Sequence, residues 1–329
     1  MTRRSAPPSV APGSGTTLSD EEAITDAPSR LARGMTYKNA VAGLNLGGGK
    51  SVIIGDNRTT SREMIFRAHG RFVDSLGGRY VTAEDVGTGT LDMDFVHMET
   101  NYVAGLQNAS GDPSPVTARG VFRAMQATAK FRWNSDDLSG RTVAIQGCGN
   151  VGHNLARELH AVGAKLIVAD LDAERVKRVA AETGARPVSV AEILDQDADI
   201  LAPCALGGGL NDDTIPRLRV ELVVGAANNQ LLEDRHGDLL EARGITYAPD
   251  YVVNAGGVIN VYGELAGWDR TRSLRKADEI YQTILGVFEI ARADGVTSHV
   301  AADRLAERRI EAVRGMVRTW PPFPYKSAT

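Results

Sequence analysis

The chain has 329 residues, more than one compact core usually holds, so two domains of about 100 to 200 residues each are expected. Its 43% apolar and 24% charged residues exclude disorder over most of the length. Lys and Arg total 37 against 41 Asp and Glu, and the net charge of -4 gives no general attraction to nucleic acid or to an anionic membrane.

In chain order, the opening MTRRSAPPSVAPGSG carries charge but no apolar signal-peptide core, and no later run reaches the roughly 18 apolar residues of a membrane span. A cytoplasmic location is expected. The first seventeen residues, crowded with Pro, Ser and Gly, read as an arm. From Asp20 a helix, a glycine-rich loop and a strand over Ser51 to Ile54 are expected. Met64, Ile65, Ala68, Phe72 and Val73 fall at helical spacing over 61–76, and after a Gly-Gly turn a short strand follows at Arg79 to Thr82. Val121, Phe122, Met125 and Ala129 mark another helix, and Asn134 to Gly140 reads as a hinge.

Beyond Gly140 a βαβ unit is expected: strand Thr142 to Gln146, a helix from about Val151, strand Lys165 to Ala169, and a helix over Glu174 to Glu182. Apolar runs at Asp199 to Ala202, Glu221 to Val224 and Thr246 to Tyr247 continue the alternation that a doubly wound parallel sheet requires. Two apolar stripes, Ile280 to Ala291 and Leu305 to Val317, predict closing helices. The resulting fold class is α/β in two domains. An N-terminal α/β domain (19–133) follows an atypical N-terminus (1–18), then a doubly wound, Rossmann-type domain (134–290) and a C-terminal helical segment (291–329).

Gly147, Gly149 and Gly152 form G-x-G-x-x-G after a strand and at the head of a helix. The first permits the tight turn, the second lets backbone approach a pyrophosphate, and the third lets helix and strand pack closely. Asp170, 23 residues after Gly147, closes the next strand, where a carboxylate accepts ribose hydroxyl hydrogen bonds and repels a 2'-phosphate. NAD is therefore the expected cofactor. Lys38 and Lys50 flank a loop containing Gly43, Gly47, Gly48 and Gly49, so one ammonium could hold a carboxylate while the other, desolvated, works as acid or base. Taken singly, each lysine reads as a surface charge, and Asp85 reads as a turn or helix cap. The six histidines lack metal-ligand spacing, so no metal is expected. The two cysteines, Cys148 and Cys204, read as packing thiols.

GMTYKNAVAGLNLGGGK, GRYVTAEDVGT, QGCGNVG, APCALGG, GAANNQ and YAPDYVVNAGGVINV together resemble the Glu/Leu/Phe/Val dehydrogenase family, within it the leucine, valine and phenylalanine dehydrogenase group. The resemblance runs from about Ser19 to Arg314. It implies that Lys38 binds the substrate carboxylate, Lys50 activates water and Asp85 shuttles protons, with Gly43 and Asn228 at the substrate. It also implies that Thr117, Asn150, Val151, Ala227, Asn228 and Asn254 join Gly147, Gly149, Gly152 and Asp170 around the cofactor. The family's pocket positions correspond to Ala83, Val258 and Val261, an aliphatic wall suited to leucine, isoleucine or valine; phenylalanine is the alternative substrate. A homo-oligomer acting on a small amino acid or 2-oxo acid, without nucleic acid or membrane partners, is implied.

The chain departs from that family at its start, where the first strand of the substrate domain and the LGPALGG-x-R signature are expected. Ser5 to Gly13, SAPPSVAPG, can be encoded by a nucleotide string that reads LGPALGGTR in a shifted frame, so the first eighteen or so residues are expected to be a frame-shifted reading of a normal gene. The substrate domain is thus expected to lack its first strand. An NAD-binding but catalytically impaired relic is the alternative of another class. Pro28 in Ala27-Pro28-Ser29 is a further departure, expected to start or kink a helix.

Overall fold

The computed structural model describes residues 21, 25, 31–54, 59–85, 87–106 and 111–314. The expectations for residues 1–18 and for Ala27-Pro28-Ser29 lie outside the described residues. The N-terminal part begins with α1 (Ala32–Val41), α2 (Arg62–Ser75), β1 (Thr82–Ala83), α3 (Thr90–His97) and β2 (Val103–Ala104). β1 and β2 pair in parallel, with Ala83 beside Ala104. Gly70 lets α2 meet α3 closely, since a Cβ there would lie 2.7 Å from the Val96 carbonyl oxygen. Arg62 crosses between the same helices to Asp92, donating from Nε to Oδ1 over 2.9 Å.

The long α4 (Ser114–Trp133) ends at Asn134, whose φ of 58° puts a non-glycine residue in the left-handed region where asparagine is tolerated. There follow β3 (Thr142–Gln146), α5 (Asn150–Ala161), β4 (Lys165–Ala169), α6 (Ala173–Thr183), β5 (Arg186–Pro187), β6 (Ile200–Pro203), β7 (Leu222–Val223), α7 (Arg235–Ala242) and β8 (Thr246–Tyr247). These strands make one parallel sheet in the order β5-β4-β3-β6-β7-β8, with the change of direction between β3 and β6. That change leaves a crevice at the strands' carboxyl ends, where open α/β sheets bind ligands. The chain continues through α8 (Asp250–Val253), α9 (Gly256–Leu265), α10 (Arg270–Asp278), α11 (Ile280–Asp294) and α12 (Ser298–Arg314).

The largest core lies between the sheet and the helices on one face, with Val121, Met125, Ile145, Leu155, Val253, Ile284 and Phe288 buried in it. α4 packs on α5, α9, α10 and α11, and α1 packs on α12 and α8. A second core on the other face gathers Ile167, Ile193, Leu201, Ile215 and Leu240. Among the described residues no helix is long and apolar enough to cross a membrane.

Two sequence expectations need correction. Ser51 to Ile54 is not a strand, and Ile53 and Ile54 are exposed. β-branched residues form a strand only where a neighbour completes the ladder. The strand expected over Arg79 to Thr82 is instead Thr82–Ala83, placed by its pairing with Val103 and Ala104. On α2, Met64 and Phe72 are exposed, while Phe66, Gly70 and Val73 are buried, because the helix turns its glycine face to α3. The β5 strand and α10 are elements that periodicity missed; α10 is rich in arginine and has no apolar stripe to read.

Candidate active site

The lysine side of the site is built by close backbone packing. A Cβ on Gly48 would meet the Ala32 carbonyl oxygen and the Thr36 nitrogen, and one on Gly49 would lie 2.7 Å from the Tyr80 ring. Only glycines let this loop lie between α1 and Tyr80. Asn39, buried on α1, donates from Nδ2 to the Gly47 carbonyl over 2.7 Å and fixes the loop's far end. Lys50 then emerges toward Asp85, and its ammonium forms a hydrogen-bonded ion pair with the Asp85 carboxylate. Asp85 is presented by a turn in which its N–H donates to Thr88 Oγ1 over 2.8 Å and the Thr88 hydroxyl returns to its carbonyl over 2.9 Å.

Lys38, in the last turn of α1, donates from Nζ to Asn228 Oδ1 over 3.0 Å. Asn254 Nδ2 donates to the same oxygen over 2.8 Å and to the Ala226 carbonyl over 3.1 Å. Burial lowers the Lys38 ammonium to about 8; Asp250 opposes that shift and Lys50 adds to it. Burial also lowers Lys50 from the ordinary lysine range. The two lysines, Asp85, Asn228 and Asn254 thus converge. Thr117 joins them from α4: a Cβ on Gly256 would lie 2.5 Å from the Thr117 Cα, and one on Gly257 3.4 Å from its Oγ1. Ala83 on β1 and Val258 and Val261 on α9 are half-buried, the two valines one turn apart. Gly43 is placed differently. Its φ is 68°, and the position of a Cβ there is 3.2 Å from Lys276 Nζ, so it looks toward α10.

The other wall is the turn between β3 and α5. Gly147 has a φ of 107°, and a Cβ on it would lie 2.9 Å from the Cys204 backbone. A Cβ on Gly152 would strike the Gly147 carbonyl oxygen. These glycines are required by the close approach of backbone to backbone. Gly149 caps α5, and Asn150 and Val151 form its first turn, whose N–H groups have no intrahelical acceptor and suit an anion. Asp170 follows β4 and accepts from the Cys148 N–H over 2.6 Å and the Asp172 N–H over 2.9 Å, so its carboxylate is held against the turn. Ala227 donates its N–H to the Pro203 carbonyl at the end of β6 over 2.9 Å and so links this wall to Asn228. A cradle of glycines, an anion-directed helix start and a fixed carboxylate together fit a dinucleotide.

Sequence reading missed several residues here. Leu171 and Leu206, after β4 and β6, are 89% and 80% exposed; Leu171 directly follows Asp170, and Leu206 lies within the APCALGG motif, whose leucine was given no role. Gln230 is buried and donates from Nε2 to the Gly225 and Ala227 carbonyls. Burial pushes the Cys148 and Cys204 thiols up to about 11 and about 12, so both stay protonated at neutral pH. Among the described residues no group of three or more His, Cys, Asp or Glu could hold a metal ion.

Residues 9–102 match the dimerisation domain of Glu/Leu/Phe/Val dehydrogenase, and residues 168–313 match Glutamate/Leucine/Phenylalanine/Valine dehydrogenase. The chain belongs to the Glu/Leu/Phe/Val dehydrogenase family. Residues 116–209 also match the NAD-binding domain of D-isomer specific 2-hydroxyacid dehydrogenases, which accords with a nicotinamide dinucleotide cofactor. The chain is 58% identical over 302 residues to a leucine dehydrogenase of Thermoactinomyces intermedius, covering 91% of this chain and 82% of the relative. It is 49% identical to a valine dehydrogenase of Streptomyces coelicolor, over 90% and 83%. The crystal structure of L-tryptophan dehydrogenase from Nostoc punctiforme superposes with a TM-score of 0.81 at 46% identity, covering 91% of this chain and 86% of that one.

Proposed function

We propose that this chain deaminates branched-chain L-amino acids oxidatively, with NAD+ and water, to 2-oxo acids, ammonia and NADH. The observation that carries the reading is the convergence of Lys38, the Lys50–Asp85 pair and the Asn228–Asn254 pair opposite the glycine turn. Lys38 receives the substrate carboxylate. The nicotinamide, when bound, supplies the acceptor for the hydride leaving Cα. Lys50, desolvated and therefore readier than an ordinary lysine to give up its proton, takes a proton from water as the water adds to the resulting imine carbon. Asp85, ionised beside Lys50, first takes a proton from the substrate ammonium, so that the neutral amine can release the hydride, and later returns that proton to the nitrogen as ammonia departs.

Asp170 supports NAD over NADP, because a second negative group at the 2' position would meet a carboxylate. Ala83, Val258 and Val261 support a branched aliphatic side chain; phenylalanine is the runner-up, and a substrate panel read by NADH absorbance separates them. We also expect a homo-oligomer. The decisive comparison is NADH formation from L-leucine by the native chain and by Lys50→Ala. A loss of about 100-fold or more is expected with NAD+ affinity retained; equal turnover would overturn the mechanism. A native chain that binds NAD+ calorimetrically yet forms no NADH from any amino acid would instead be the cofactor-binding relic.

A further inference from the structure

Asp250 opens α8 directly after β8, and nothing in the reaction scheme uses it. Its carboxylate is nonetheless fully engaged. Oδ2 accepts the Gln230 N–H over 2.8 Å, Oδ1 accepts the Tyr251 N–H over 2.6 Å, and the Asn229 N–H is a third donor. Asn229 has a φ of 50°, which a non-glycine residue holds only where its surroundings fix it. The bonds at Gln230 and Asn229 pin the loop immediately after Asn228. Gln230 locks it from the other side, donating to the Gly225 and Ala227 carbonyls over 2.8 and 3.0 Å. Asn228 Oδ1 is therefore presented to Lys38 from a backbone with little freedom.

Electrostatics link Asp250 to the same lysine. The charged groups facing Lys38 are Asp250 from α8 and Lys50 from the glycine loop; those facing Asp250 are Lys38, Tyr247 from β8 and its neighbour Tyr251. Lys38 thus has one anion behind it and one cation beside it. Three N–H donors favour the ionised form of Asp250, which otherwise suffers from burial.

We propose that Asp250 is a positioning residue for substrate carboxylate binding: its carboxylate clamps the Asn228–Gln230 loop and keeps Lys38 cationic, so that Lys38 meets the substrate as an oriented ammonium. This rests on the reading of Lys38 as the carboxylate-binding group. Without the anion, Lys38 loses its proton at lower pH, because burial and Lys50 are then unopposed.

The test uses 4-methylpentanoate, a carboxylate with the leucine skeleton and no amino group, as a competitive inhibitor of the full-length protein. Its Ki is measured from pH 6 to pH 10 for the native chain, Asp250→Asn, Asp250→Glu and Tyr247→Phe. For Asp250→Asn the rise in Ki with pH should begin at lower pH and reach about tenfold near pH 8, while kcat at saturating amino acid changes less. Asp250→Glu should restore most of the native profile. Tyr247→Phe, which removes a hydroxyl that accepts the Asp250 N–H over 3.2 Å, should lower Tm without moving the profile. An Asp250→Asn profile that overlays the native one would overturn the proposal.

A second measurement does not depend on that variant folding. In Lys38→Met, Asp250 loses a cation that favours its ionised form, so its folded pKa rises further above the unfolded value. Stability is then lost as pH rises above the unfolded value of about 3.9, and Tm should fall across that rise relative to the native chain. A constant Tm difference across that range would also overturn the coupling. If 4-methylpentanoate binds Lys38→Met as tightly as the native chain, it is the carboxylate-binding reading of Lys38 that fails.

Discussion

Among single residues, Asp170 has the most separable effect, because both of its oxygens already accept backbone N–H groups and its orientation owes nothing to a ligand. Arg175 lies nearby, with Nη1 3.8 Å from the position a Gly149 Cβ would occupy and Nε 3.2 Å from Asp172 Oδ2. Replacing Asp170 by Ser removes the repulsion toward a 2'-phosphate and leaves a guanidinium close to where that phosphate would sit. Asp170→Ser should therefore raise the ratio of kcat/KM for NADP+ to that for NAD+ by about tenfold or more. Steady-state assays with both nucleotides check it; an unchanged ratio would show that Asp170 does not discriminate.

At the level of elements, the β3–α5 turn is tightly constrained, since Gly152 has no room for a methyl group beside the Gly147 carbonyl. Gly152→Ala should push α5 away from the turn, lowering Tm and weakening NAD+ binding in calorimetry, at a cost of about 1 to 3 kcal/mol. Equal affinity and Tm would mean the helix start is more pliable than its packing suggests. The α2–α3 pair gives a pH-dependent counterpart. Burial disfavours the Asp92 carboxylate, yet hydrogen bonds from Arg62 and the Gly89 N–H outweigh it and hold its pKa below the ordinary value. A depressed carboxyl pKa stabilises the fold above the unfolded value of about 3.9, and this contribution is lost as pH falls through the folded value. Asp92→Asn should lower stability at pH 7 by about 2 kcal/mol, and progressively less as pH falls below the unfolded value of about 3.9. A Tm loss independent of pH would assign the effect to packing alone.

What the sequence disclosed follows the same division. β3 and β4 were legible residue for residue because buried parallel strands are continuous β-branched and aliphatic runs, and the glycine turn was legible because its contacts exclude every other residue. Lys38, Lys50 and Asp85 could be selected only through their motifs, since an isolated lysine or aspartate carries no local signal of function. Asp250 and Gln230 escaped even so. Their work is done on backbone N–H and C=O groups contributed by loops distant in sequence, and composition does not encode that pairing.

Across the whole molecule, the N-terminal strands and α9 meet at a polar contact: both carboxylate oxygens of Glu264 accept the Gly105 N–H, over 3.1 and 3.2 Å. Burial raises the pKa of the adjacent Glu84, and Asp112 and Glu264 raise it further, so negative charge gathers where the two parts touch. α9 carries Val258 and Val261, and β2 lies beside the strand that carries Ala83. Glu264→Ala should therefore loosen the pocket and raise KM for L-leucine severalfold, with NAD+ affinity unchanged by calorimetry; an unaltered KM would show that the pocket holds its shape without this bond. The packing of Gly48 against α1 has a different consequence. Lys38 and Lys50 stand on backbones that touch, so the separation of their ammonium groups is set by the fold and works as a ruler between a substrate's carboxylate and its reacting carbon. An amino acid with one extra methylene between carboxylate and amine carries a matching charge at the wrong distance. β-Leucine should accordingly occupy the cleft as a competitive inhibitor and form no NADH.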